Sequence, residues 1–160
     1  MDTNTRIESG VGTGAIDWQW AALAGVLGTV AFGTLQHLTG GAGTIEVAFP
    51  ALYGLGPSLA VGWGIHLFHG AVLGLVYAAI VSVGPLQPYA RRVSGGVVLG
   101  LLYGVVTTVA LAWLLMPVWL GVVGFPGTPP FPNISVNSLV GHAVYGLGLG
   151  VLYPVLSQRV

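Results

Sequence analysis

Polar and apolar positions along this chain fall into long blocks. Between Asp17 and Glu46 lie 28 consecutive uncharged residues, between Glu46 and Arg91 another 44, and between Arg92 and Arg159 another 66. A helix needs about 20 apolar residues to cross the hydrocarbon of a bilayer, so each block is long enough to span. The first block predicts one helix over residues 18–38, and the second predicts one over 58–83. The third holds two, over 94–116 and 135–156, because Phe125-Pro126-Gly127-Thr128-Pro129-Pro130-Phe131-Pro132-Asn133 cannot continue a helix. The expected fold is all-α: an integral membrane four-helix bundle in one domain over 18–156. A polar cytoplasmic tail is expected over 1–17 and a short cytoplasmic C-terminus over 157–160. Whether Thr44 to Gly56 is a short interfacial helix or a loop stays open.

Composition narrows the class. The chain is 54% apolar, and only 5% of its residues are charged, against roughly 25% in soluble domains. That excludes a water-soluble globular domain, and disorder fails on the same count. There is no lysine, so the basic surface that would neutralise nucleic-acid phosphates is missing. Without cysteine there are no disulfides, no thiolate metal sites and no thiol catalysis. In a four-span chain Arg6, Arg91, Arg92 and Arg159 all fall on one side. The positive-inside rule then places both termini and the Arg91-Arg92 turn in the cytoplasm, in a multi-pass protein of the cell membrane. Trp18, Trp20, Trp119, Tyr53, Tyr77 and Tyr153 are expected at the two interfaces as an aromatic belt. The first 17 residues do not read as a cleaved signal, and the first span is expected to stay as an anchor. Asn133-Ile134-Ser135 matches a glycosylation acceptor but abuts the membrane, so it reads as a helix cap.

An internal repeat runs beneath this pattern. Shifting the chain by 76 residues pairs Val47 and Phe49-Pro50 with Val123 and Phe125-Pro126. The same shift pairs His66, Gly70, Leu73, Gly74 and Tyr77 with His142, Gly146, Leu149, Gly150 and Tyr153. The shared pattern, His-x-x-x-Gly-x-x-Leu-Gly-x-x-Tyr, lies along one helical face. Each unit holds two spans, which predicts two hairpins related by a pseudo-twofold axis along the membrane normal. Glycines four apart let helix backbones approach closely, and in lipid such packing supplies much of the association energy. Gly96, Gly100 and Gly104 repeat the device on the third helix, and Gly25, Gly28 and Gly33 offer it more loosely on the first.

The four histidines all fall toward the outer half. His66 and His142 each sit seven residues into their helices, about 10 Å below the interface at 1.5 Å per residue. His69 is one turn deeper, His37 stands beside Gln36 at the end of the first helix, and Glu46 follows in the first outward connection. An ionisable group inside a bilayer is expensive enough to suggest function. Three readings follow. The histidines hold the bundle together by bonding neighbouring carbonyls. Alternatively His66 and His142 ligate a transition metal or the two axial positions of a haem b, with Gly70, Gly74, Gly146 and Gly150 leaving room for the macrocycle. Third, His37, His66, His69 and His142 form a relay or vestibule for protons or a small solute. The inner half, with Thr107, Thr108 and Ser82, reads as dry. His66-Leu67-Phe68-His69 puts two rings on one side, short of the four ligands zinc wants; the widest metal set is His37, His66, His69 and His142.

Hydrolase, phosphate-loop and dinucleotide motifs are missing, and so are paired catalytic carboxylates: Asp2, Glu8 and Asp17 belong to the tail and Glu46 stands alone. Gly10-Val11-Gly12-Thr13-Gly14 reads as a flexible link. No catalytic residue is assigned, and an enzyme is the less favoured class.

The two hairpins, the histidine-glycine-tyrosine pattern at His66 and His142, and the Phe-Pro pair before each resemble small prokaryotic inner-membrane proteins of the YagU-like kind. The resemblance covers residues 18–156 and implies location and fold rather than a reaction. The expectation is a non-enzymatic membrane component whose partners are the lipid bilayer and a second copy or a larger membrane complex. A haem- or metal-binding electron-transfer subunit and a transporter are the alternatives.

Overall fold

The structure is a computed structural model and describes residues 16–158. Most of the polar tail, including Arg6, and also Arg159 lie outside the described residues. Among the described residues four helices are long and apolar enough to cross a membrane: α1 (Trp18–Leu38), α2 (Leu59–Val81), α3 (Val93–Val122) and α4 (Val136–Ser157). The rest of the described chain is short helix, turn and loop. We call the end of the bundle holding Trp18 and Ser157 the near end, and the opposite end the far end.

Local chemistry sets the helix limits. The hydroxyls of Ser58 and Ser135 accept the N–H groups of Val61 and Ser138, capping α2 and α4. The Asn-Ile-Ser triplet is therefore a cap, as its position predicts. Gly40, at a φ of 81°, takes the left-handed conformation just after α1 and turns the chain.

The third helix departs from expectation, running to Val122 instead of stopping at Met116. Pro117 has no N–H to donate to the carbonyl of Trp113, four residues back. The N–H of Asn133, from the following connection, bonds that carbonyl instead at 2.9 Å, so the helix survives its proline. Residues Thr108–Leu115 within it are π-helical. Thr107 and Thr108 donate their hydroxyls to the carbonyls of Tyr103 and Gly104 at the entry to this wider turn.

The first connection is a short helix rather than a loop. Thr44–Ala48 is π-helical and runs into Phe49–Ala51. Ile45 is fully buried, and its carbonyl lies so close to Gly62 of α2 that any side chain there would collide with it. Ser58 N–H bonds Glu46 O at 2.9 Å, and the Trp119 indole N–H bonds Leu52 O at 2.8 Å, tying the segment to both α2 and α3.

The helices pack in the order α2, α1, α4, α3, while α2 and α3 hardly touch. Glycines make the seams. A methyl group built on Gly25 or Gly74 would run into the carbonyl of Gly70 or Ala21 across the α1–α2 contact. On the α3–α4 contact Gly96, Gly100 and Gly104 face Gly150, Gly146 and His142 in the same way. Pro154 leaves the Gly150 carbonyl without its usual helical donor, and the Gly96 backbone lies against that oxygen. Large apolar side chains such as Leu27, Phe68, Val76, Leu102 and Val106 point outward. Small residues inside and large ones outside suit a lipid surround, where backbone contact holds helices together better than apolar burial does.

Tyrosines close the bundle toward the near end. Tyr103 donates to Leu73 O at 2.8 Å, Tyr77 to Gly96 O at 3.3 Å and Tyr145 to Gly70 O at 2.8 Å, each reaching another helix. Tyr153 shares a 3.4 Å hydrogen bond with Ser82. Two expectations are corrected here. Tyr77 and Tyr153 are 1% and 7% exposed, so they are core residues and not part of an aromatic belt. The half expected to be dry carries their hydroxyls, which are paid for by hydrogen bonds across helices. Trp18, Trp119 and Tyr53 are exposed, as belt residues would be.

Candidate functional site

Because α2 and α3 stand apart beyond the tyrosines, the far half of the bundle is open along one side. The gap holds a cavity of about 660 Å³. Leu73 and Val72 of α2 face Leu111 and Ala112 of α3 across it, and Tyr145 of α4 also lines it. Phe68, Leu115 and Trp119 line it as well and are 60%, 54% and 47% exposed, so the cavity opens sideways between the two helices. Most of the α3 lining comes from the π-helical stretch or just after it, a feature frequent at functional sites.

Three of the four histidines are on this wall. His66 is 5% exposed, and its Nε2 is buried with no partner among the described residues. His69 shares a 2.7 Å hydrogen bond between its Nε2 and the Tyr53 hydroxyl. His142 holds its Nδ1 2.8 Å from Ser138 O, one helical turn earlier. A carbonyl can only accept, so Nδ1 of a neutral His142 carries the proton and Nε2 is left with a lone pair. Phe32 of α1 packs against the buried His66 ring and the half-buried His142 ring, at centroid distances of 5.2 Å and 4.9 Å. It is seated on Gly141, where any side chain would strike its ring. Phe49 lies 4.8 Å from His66 on another side.

The structure does not gather the wider set of candidate ligands. His37 is exposed, bonds Gly33 O through Nδ1 at 2.9 Å and stacks on Trp63, and Glu46 is exposed. Among the described residues no three His, Asp or Glu side chains converge to hold a metal ion, so His37, His66, His69 and His142 do not form one ligand set. His66 and His142 share the cavity, and Phe32 packs against the rings of both. The glycines expected to make room for a macrocycle are occupied. Gly70 lies against Thr29, Gly74 against Ala21 and Gly25, Gly146 against Gly100, and Gly150 against Gly96. Their small size serves helix contact.

A second cavity, of about 440 Å³, lies beyond the first toward the far end. Its wall is mixed: Gln36, Thr39, Asn133, Asn137 and Ser138 stand among apolar residues such as Val47, Leu120 and Phe125. Phe32, Phe49, Ala112, Met116 and His142 line both spaces, so the two meet at His142 and the phenylalanines. Gln36 is 8% exposed, and its Oε1 is buried with no hydrogen-bond partner among the described residues. Sequence reasoning noted Gln36 only as a neighbour of His37 and Trp119 only as a belt residue, and it missed Asn137 and Ala112. One signal was readable: Ser138 stands four residues before His142, the spacing that lets a helical carbonyl fix an imidazole tautomer.

No protein-family model, no curated protein and no solved structure matches this chain.

Proposed function

We propose that this is a multi-pass membrane protein whose groove between α2 and α3 receives a lipophilic molecule from the surrounding bilayer, acting as a binding component rather than as an enzyme. The observation that carries this reading is the sideways-open apolar cavity of about 660 Å³ with His66, His69 and His142 on its wall. Ligand sites are mostly apolar concavities of roughly 300–1,000 Å³ with a few placed polar groups, and this one has that make-up. Its mouth faces the side of the bundle, where acyl or isoprenoid chains are the available partners. Histidine inside a span is costly unless it has work to do, and the orphaned His66 Nε2 is the kind of group a ligand satisfies.

The same reading gives the bundle an orientation and a history. Arg91 and Arg92 stand at the near end, so the positive-inside rule puts that end and both termini in the cytoplasm and the cavities in the outer half. A pseudo-twofold relation between the hairpins is supported by matched contacts: Gly70 and Gly74 meet α1 at Thr29, Gly25 and Ala21 as Gly146 and Gly150 meet α3 at Gly104, Gly100 and Gly96. The likeness to YagU-like inner-membrane proteins is proposed on the same repeated motif.

The test is photolabelling of the protein in nanodiscs with a long-chain alcohol carrying a diazirine at mid-chain. Label should concentrate on groove peptides. It should fall about tenfold, the equivalent of ~1.4 kcal/mol, in Leu111→Trp, which fills the cavity, and stay unchanged in Leu102→Trp, on an outward surface. Uniform labelling that Leu111→Trp leaves intact would overturn the proposal.

A further inference from the structure

We infer that the molecule held here is a neutral amphiphile with a polyol head, the head against the polar side chains of the far-end cavity and the chain in the groove; this rests on the groove reading above. The head and chain compartments are adjacent, because Phe32, Phe49 and His142 line both. The head is neutral because, among the described residues, no Asp, Glu, Lys or Arg side chain lines either cavity. A charge brought into such a space would lose its hydration and go unpaired.

The head is a hydrogen-bond donor because two of the groups awaiting it accept. Gln36 Oε1 is a carbonyl oxygen, buried and without a donor among the described residues. His142 Nε2 carries a lone pair, since Nδ1 is committed to Ser138 O. A ketone, ester or ether oxygen satisfies neither. A hydroxyl satisfies either one. Around them Asn133, Asn137 and Thr39 supply mixed donors and acceptors, the chemistry that matches a group with several hydroxyls. A glycerol and a single sugar share that chemistry, and the volume of about 440 Å³ admits either.

The experiment uses the full chain in nanodiscs and measures displacement of the diazirine probe by four competitors: 1-oleoylglycerol, an oleyl glucoside, methyl oleate and oleoyl phosphatidylglycerol. Each of the two hydrogen bonds should contribute about fivefold, so the polyol lipids should compete about thirtyfold better than methyl oleate. That advantage should fall about fivefold in Gln36→Leu and in His142→Phe, while competition by methyl oleate stays as in the parent. If His142→Phe fails to fold, His142→Asn tests the same point by preserving an acceptor and most of the advantage. A better glucoside identifies a sugar head, and a better oleoylglycerol identifies a glycerol head. Equal competition by methyl oleate and the polyol lipids would sink the polyol inference and leave the groove standing. Strongest competition by the anionic lipid would overturn the neutral head. Absence of competition by any chain would overturn the groove reading as well.

Discussion

Replacing Gly146 by alanine adds one methyl group at the centre of the α3–α4 seam, and the structure says where that methyl goes. It would drive into the carbonyl oxygen of Gly100, stand 2.9 Å from the carbonyl carbon behind it and 3.1 Å from the Gly104 nitrogen. All of these are backbone atoms, so no side chain can swing away. The helices must part, and the neighbouring Gly96–Gly150 contact parts with them. Forcing a methylene into a packed interior costs typically 1–3 kcal/mol, and a rigid backbone neighbour puts this case toward the upper end. Gly64 of α2 is the internal control, because a methyl there meets nothing within 4 Å. At that site the change relieves glycine's helix penalty, stabilising by about 0.5–1 kcal/mol. The two substitutions are chemically identical and should differ by about 3 kcal/mol, more than a hundredfold in the unfolding equilibrium. Unfolding in mixed micelles of rising SDS fraction, followed by circular dichroism, reads this difference directly. If Gly146→Ala and Gly64→Ala unfold at the same SDS fraction, close glycine contact is not what holds α3 to α4.

Two further outcomes follow from the hydrogen bonds. Tyr103→Phe removes the 2.8 Å bond to Leu73 O, which joins α2 to α3 below the groove. It should cost about 0.6–1.5 kcal/mol in the same SDS assay and lengthen the distance between spin labels placed on α2 and α3; an unchanged distance would show that the tyrosine does not set the groove width. Pro117→Ala restores the N–H that α3 lacks, so the Trp113 carbonyl no longer needs Asn133. Hydrogen exchange at the Asn133 amide should then quicken while the α3 amides stay protected, and slow exchange at Asn133 would refute the substitution of one donor for the other.

Some of the expectations that failed share a physical origin. The end of α3 was misjudged because Pro117 stops a helix only when nothing else bonds the freed carbonyl, and the residue that does so is 16 positions away. Tyr77 and Tyr153 read as interface residues because their depth is visible in the chain and their rotation is not; their rings face Tyr103 and Ser82 on other helices. His37 joined the candidate ligands on depth alone, and its ring turns to Trp63 instead.

Span count, the limits of α1, the serine cap of α4 and the glycine faces follow from the amino-acid sequence alone. Each depends on local chemistry: uncharged length, a capping hydroxyl, and the spacing that puts glycines on one side of a helix. The cavity does not follow from any of these. It exists because the helices pack in the order α2, α1, α4, α3, leaving the outermost pair joined by tyrosines at one end and separated at the other. Only that arrangement brings His66 and His142, 76 positions apart, to one wall, and only a contact with Ser138 O decides which nitrogen of His142 is free to accept. Depth in a membrane is a property of position along the chain; which groups meet at that depth is a property of how the helices are ordered around one another.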